Sequence, residues 1–274
     1  MIRRSRPGDE DALQALWQLV FGDPPAVTKT FFQTLYRPGD AIIWDADGTV
    51  ASAMYLLDAG ISTGADGQRL TTSYAYALAT LPSFRGRGLG SQVAAACLAR
   101  SRELGFDCNV VCPAETSLFP FYERLGYGQV LSIAEGEIVR DFSSVENFTF
   151  SVMSTAFSTY CQHRHALLPD SATMYTPDFF DYTQQSFEAS GGGLFRLELS
   201  DRVACAAVER RGAQLIVREI LPAACATDGA QALLAHFGAE SAVFRTVSDH
   251  STVSQRPFAL VAGDFAGYFP FVLD

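Results

Sequence analysis

Residues 73–91 read SYAYALATLPSFRGRGLGS, and the rest of the chain is read from this stretch. Tyr74 to Leu81 is an apolar run with the character of a buried strand. Pro82 ends it, because proline has no N–H to give to a sheet ladder. Arg85 and Arg87 follow, interleaved with Gly86, Gly88 and Gly90, and from Leu89 to about Leu104 the spacing of Leu89, Val93, Cys97 and Leu104 is helical. Strand, glycine turn and helix start make an anion site. Glycines tolerate positive φ and expose backbone N–H groups. The first helical turn carries unpaired donors and the positive end of the helix dipole, and arginines add charge-assisted contacts. A pyrophosphate suits such a place.

Two phosphate loops fail to match. A Walker loop needs a lysine after its glycines, and none follows here; a dinucleotide fingerprint started at Gly86 and Gly88 would put its third glycine on Ser91. What stands is Arg85-Gly86-Arg87-Gly88-Leu89-Gly90, an R-x-x-G-x-G pattern, and the plain alternative is a glycine turn with solvated arginines. The pattern resembles the acetyl-CoA pyrophosphate loop of the GCN5-related N-acetyltransferases, the GNAT superfamily. That resemblance implies that Arg85, Gly86, Arg87, Gly88, Leu89, Gly90 and Ser91 hold the pyrophosphate, while Leu78, Ala79 and Thr80 lie along the pantetheine.

At 274 residues the chain has room for one or two domains. With 48% hydrophobic residues it can fill a sizeable core, yet no apolar run reaches the ~18 residues that span a bilayer. Basic residues near the N-terminus have no apolar segment behind them, so no signal peptide is expected. The six cysteines show no paired metal spacing and read as reduced thiols of a cytoplasmic protein, with no metal. A net charge of −10 argues against nonspecific nucleic-acid binding and is compatible with a cationic substrate such as an amine. A homo-oligomer is left open.

In chain order, Ile2 to Ser5 reads as a strand, and Asp9 or Asp11 is placed to cap a helix carrying Leu13, Leu16, Trp17, Val20 and Phe21. A second helix is expected from Val27 to Tyr36. Strands follow at Ala41–Asp45, Thr49–Thr63 and Gln68–Leu81, with hairpin turns at Asp45–Gly48 and Gly64–Gly67. After the glycine loop come a helix to Leu104 stopped by Gly105, a strand Phe106–Cys112, a helix Glu115–Leu125 and a strand Tyr127–Val139. This is the element order of the GNAT fold. A second motif agrees with it: Phe121-Tyr122-Glu123-Arg124-Leu125-Gly126-Tyr127 resembles the F-Y-x-x-x-G-[FY] segment on the fourth helix of many GNAT enzymes. The resemblance implies that Tyr122 protonates the departing CoA thiolate and that a backbone N–H of the central strand, about Leu78, stabilises the oxyanion. Packing is the other reading of Tyr122. Tyr74 and Tyr76 share a strand face and either line an acceptor pocket or pack. Phe119 is placed with them as pocket wall, although it and Phe121 could be core. Glu115 and Glu123 are weak candidates for the base, and no base can be named.

The second half repeats the pattern. Residues 140–155 read as a connector. Helices follow at Ser154–Leu168 and Pro177–Ala189, then strands at Leu194–Leu199, Val203–Arg210 and Gln214–Leu221, a helix Asp228–Phe237 and a strand Ala242–Val247. Its strand-to-helix junction, Leu221 to Gly229, has no R-x-x-G-x-G, so no CoA site is expected there. Gly191-Gly192-Gly193 reads as a plain loop, and Gln162-His163-Arg164-His165 as a solvated helix end rather than a metal site. Glu219 is either a buried charge facing the first half or an edge residue. A catalytic unit followed by a degenerate one resembles the first two-thirds of the Eis-type acetyltransferases (enhanced intracellular survival proteins). Their sterol-carrier-like third region has no counterpart in the sequence, which leaves in doubt whether the Asp274 carboxylate acts as the base, as it does in that group.

The expected architecture is therefore α/β (α+β) with two GNAT-like domains, each a mixed, mostly antiparallel sheet flanked by helices: residues 1–140 catalytic, residues 150–274 degenerate. The expected activity is acetyl transfer from acetyl-CoA to a primary amine of a small, cationic acceptor by direct attack. The alternatives are a longer acyl group, a protein amine, a nucleotide-binding protein using the same loop, or an acyl-CoA-binding regulator or pseudoenzyme without turnover.

Overall fold

A computed structural model describes residues 1–64, 66–141, 149–168, 173–247, 254–263, 265, 268 and 269. The first half runs β1 (Ile2–Arg4), α1 (Glu10–Phe21), α2 (Pro25–Thr34), β2 (Ala41–Ala46), β3 (Thr49–Thr63), β4 (Arg69–Thr80), α3 (Leu89–Glu103), β5 (Cys108–Val111), α4 (Phe119–Glu123) and β6 (Gln129–Val139). The second runs β7 (Phe150–Ser154), α5 (Phe157–Leu167), α6 (Pro177–Ala189), β8 (Gly193–Leu199), β9 (Arg202–Arg211), β10 (Gln214–Leu221), α7 (Ala226–Phe237), β11 (Ser241–Thr246) and β12 (Gln255–Ala262).

All twelve strands form one sheet in the order β1-β2-β3-β4-β5-β12-β6-β11-β10-β9-β8-β7. Among the described residues only β4–β5 and β10–β11 are parallel. The order is a pseudo-symmetric exchange. β12, the last strand of the second half, pairs antiparallel with β5 and β6, and β6, the last strand of the first half, pairs with β11. Each half thus completes the other's sheet.

Alternation along the strands sends side chains to two faces. On β3, Tyr55 and Leu57 join a core with α1, α2, α5 and α6, whereas Met54 and Leu56 face α3 and α4. The second half packs its α7 on that latter side, over Leu197, Val217 and Phe244. A strap from the second half runs antiparallel beside β3, where Ile61 and Met174 exchange backbone hydrogen bonds of 2.9 and 2.7 Å. Gly60 beneath it has φ +102°, and a Cβ there would stand 2.1 Å from the Met174 carbonyl oxygen, so only glycine lets the strap approach.

Several elements differ from the sequence expectation. Asp9 occupies the N-cap position of α1 but makes no cap. Its carboxylate accepts instead from the Arg3 guanidinium at 2.7 and 2.9 Å, and this pairing holds the carboxyl below its usual range. Pro25 starts α2 two residues early, as proline at the first helical turn allows. Residues Thr116–Leu118 form a 3-10 turn, leaving α4 only five residues long. Part of the expected connector is β7, an edge strand paired with β8 alone, and α5 begins at Phe157 rather than Ser154. The sequence places no strand or helix after Val247, where β12 lies.

Candidate active site

β4 pairs with β5 over Thr72–Ala75 and then leaves it. On its other edge Tyr76 opposes Tyr55 and Ala79 opposes Ala53, so Ala77 and Leu78 together face Met54. This is a β-bulge, and Ala77 sits in it at φ +52°. Leu78, the expected oxyanion donor, is with Ala77 one of the two residues of the bulge that lack a register partner, beside the end of the β4–β5 ladder.

Beyond Pro82, residues Pro82–Phe84 make a 3-10 turn, Gly86 and Gly88 take φ +76° and +73°, and α3 begins at Leu89. A concavity of about 190 Å³ lies over this junction. It is lined by Thr80, Arg85, Gly86, Gly88 and the first helical turn Leu89–Ser91, with Phe84 and Phe121 as apolar walls. The backbone amides of residues 86–91 have no acceptor among the described residues, while Arg85 N donates back to Pro82 O and Gln92 N to Gly88 O. Six successive donors at a helix N-terminus with no acid in the first turn make a site suited to an anion. Thr80 Oγ1 is held by the Ser52 hydroxyl at 2.8 Å. Arg87 does not line the concavity; it donates to Ser83 O and rests 5.0 Å above the Phe84 ring. Ala79 turns its side chain to the opposite face, and its carbonyl accepts from Ser52.

Tyr122 lies on the α3 side with Ala75 and Val111, the last paired residues of β4 and β5. Its ring meets Phe121 and Tyr127 edge-on at 4.9 and 5.7 Å. Its phenol has no hydrogen-bond partner among the described residues. Burial, with Cys97 and Cys112 adding to it, pushes the phenol above its ordinary value, so the group stays protonated into strongly alkaline solution.

Tyr74 and Tyr76 lie on the other face, stacked 5.5 Å apart. Tyr76 meets Trp17 at 5.3 Å and Phe31 at 5.8 Å, and Tyr74 meets Phe269 at 5.5 Å. The structure therefore separates Phe119, buried among the α3-side residues, from Tyr74 and Tyr76. Trp17, Phe31 and Phe269 were not singled out from the sequence as site residues; only their assembly from α1, α2 and the C-terminal segment brings them to Tyr74 and Tyr76. Glu115 and Glu123 are exposed, and Asp274 lies outside the described residues.

The second junction differs. A 3-10 turn at Ala223–Cys225 abuts α7 at Ala226 with no loop between them. β10 also bulges, between Val217 and Glu219, and also leaves its parallel partner, after Val217. There Thr246 Oγ1 donates across to the Ile220 carbonyl at 2.7 Å. Glu219, at 0% exposure, accepts from Arg164 and from the Tyr160 hydroxyl, both at 2.8 Å. Glu219 is thus the buried alternative of the sequence reading, and Arg164 is no solvated helix end. At the triple glycine the Gly191 and Gly192 amides donate to Glu188 O and Phe187 O, which leaves no anion cradle. Among the described residues no cluster of three His, Cys, Asp or Glu could hold a metal.

Residues 1–130 match the family model of the acetyltransferase (GNAT) domain. A comparison with curated proteins finds no match. Among solved structures, a GCN5-related N-acetyltransferase from Anabaena variabilis superposes with TM-score 0.66 at 14% identity, covering 95% of this chain and 72% of that one. Eis1 from Mycobacterium abscessus gives 0.65 at 14%, covering 95% and 73%. A GCN5-related N-acetyltransferase from Sphaerobacter thermophilus gives 0.55 at 14%, covering 98% and 96%. Residues 1–130 thus carry a match to the acetyltransferase (GNAT) domain, and the chain as a whole shares the fold of these solved structures. No helix among the described residues is long and apolar enough to cross a membrane.

Proposed function

We propose that the protein transfers an acetyl group from acetyl-CoA to a primary amine of a small, cationic acceptor by direct attack, in a catalytic unit of residues 1–140. The observation that carries this reading is the run of six unaccepted amides over residues 86–91, beside Arg85 and against the concavity. The pyrophosphate takes those donors, and the pantetheine follows the edge of β4 past Leu78, Ala79 and Thr80. The thioester then reaches the opening beyond Ala75. The amine arrives from the aromatic face of Tyr74 and Tyr76, attacks the carbonyl, and the oxyanion faces the Leu78 amide. Tyr122 gives its proton to the departing thiolate, and the proton that the amine loses on becoming an amide passes through water back to the Tyr122 phenolate. Residues 150–274 make a degenerate unit without a CoA site, supported by the Thr246 bridge and the missing loop.

The test is CoA thiol release from acetyl-CoA with spermidine, kanamycin and tyramine as probe amines. We expect release matched mole for mole by N-acetylated product, with the polycations fastest. Release no faster than hydrolysis without amine, from a protein that binds acetyl-CoA, would overturn the amine-transfer reading.

A further inference from the structure

A chain of hydrogen bonds runs under β4 and β5 on the α3 face. The Tyr127 hydroxyl donates to Asn109 Oδ1 at 2.5 Å, and Asn109 Nδ2 donates to Ser73 Oγ at 2.7 Å. Ser73 Oγ donates to the Cys108 carbonyl at 3.2 Å, so the 2.7 Å bond between Ser73 and Ser101 takes its proton from Ser101. All four residues are buried. Buried polar groups are costly unless each is satisfied, and a satisfied chain fixes its members rigidly.

The molecule contains its own control. Ser73 and Asn109 oppose each other in the second pair of the β4–β5 ladder, which has four. The second pair of the four in the β10–β11 ladder is Leu215 and Ala242, packed apolar against α7. The same supersecondary unit is therefore built without polar groups in the half that lacks the glycine loop. The fold does not require the chain; it accompanies the half that carries the loop and α4.

What the chain ends on is the ring of Tyr127, which stands edge-on to Tyr122 at 5.7 Å and 84°. The Tyr122 phenol makes no hydrogen bond to the described residues, so its direction depends on the rings packed edge-on to it, Tyr127 and Phe121. We propose that Ser101, Ser73, Asn109 and Tyr127 form a positioning device that locks the Tyr127 ring and so aims the Tyr122 phenol at the opening between β4 and β5. The four are positioning residues, and the inference rests on Tyr122 being the acid of the proposed reaction.

The test compares Tyr127→Phe, Ser73→Ala and Tyr122→Phe in the full chain. Kinetics use acetyl-CoA with the fastest of the three probe amines; ¹³C-tyrosine spectra use acetyl-CoA alone. Tyr127→Phe is expected to lower kcat about 10-fold, a fraction of a full general-acid contribution, with KM for acetyl-CoA within about twofold, as for loss of a transition-state interaction. Ser73→Ala, which changes little volume, should lower kcat in the same direction, and both variants should broaden or split the Tyr122 ring signal. A fall in Tm with unchanged kcat and an unchanged Tyr122 signal would show a purely structural chain and overturn the proposal. Full turnover by Tyr122→Phe is a different failure: it removes the acid reading on which the device depends.

Discussion

The β4–α3 and β10–α7 junctions begin alike and end differently. Each follows a strand that bulges, leaves its parallel neighbour after four paired residues, and reaches a proline and a 3-10 turn. In the first half, residues 85–88 then intervene before the helix; in the second the helix follows at once. The first bulge holds alanine and opens onto the site, whereas the second holds Arg218, bound to Glu209, with the buried Glu219–Arg164 pair next to it, and its strand gap is bridged by Thr246. The comparison teaches that the bulge and splay belong to the scaffold. On the proposed reading, binding capacity resides in four inserted residues and in what is kept out of the gap.

The largest expected effect comes from making the first junction like the second. Deleting residues 85–88 should weaken acetyl-CoA binding by more than about 100-fold, since it removes the positive-φ glycines and the turn that presents the amides. Calorimetric titration, with circular dichroism to confirm the fold, checks this; retained affinity would break the comparison at its root. The next tests the buried pair beside the second bulge. Arg164→Met strands the Glu219 carboxylate at full burial, and urea unfolding should register a loss of about 3–5 kcal/mol. A loss under about 1 kcal/mol would mean that the pair is dispensable to the second half.

Tyr122→Phe should lower kcat about 100-fold while leaving acetyl-CoA affinity within about twofold. The sign of its pH dependence follows from burial. A phenol pushed upward keeps its proton, so kcat should show no alkaline decline assignable to Tyr122 through pH 10, where an ordinary tyrosine is half ionised. A Tyr122-dependent fall below pH 10 would contradict the burial argument. The smallest effect belongs to Arg85→Ala. One exposed cation beside six amides should cost about 3- to 10-fold in affinity, less at high salt.

The glycine loop was legible because its residue types are forced: positive φ at Gly86 and Gly88, and a proline to end the strand. The place of Tyr122 on the α3 side was legible from a local motif, and the helices and inner strands from their periodicity. Other features lay beyond a local reading. Nothing in Gln255–Ala262 says that it inserts between β5 and β6, because that pairing is decided by contacts more than a hundred residues apart. The positive φ of Ala77 is imposed by the two-against-one pairing with β3 rather than by its own side chain. The aromatic face around Tyr76 comes from α1 and α2 folding over the sheet, and the Ser73–Asn109–Tyr127 chain from three segments distant in sequence.

The central claim, that residues 85–91 are an acyl-CoA phosphate site, is tested most directly by a thermal shift with acetyl-CoA beside ATP and NAD. At about 100 times Kd a ligand adds about 2.7 kcal/mol, which for a chain of this size raises Tm by roughly 5–10 °C. The account predicts that rise with acetyl-CoA, its loss on deleting residues 85–88, and none with ATP or NAD. A rise with ATP or NAD in place of acetyl-CoA, or one that survives the deletion, would contradict it.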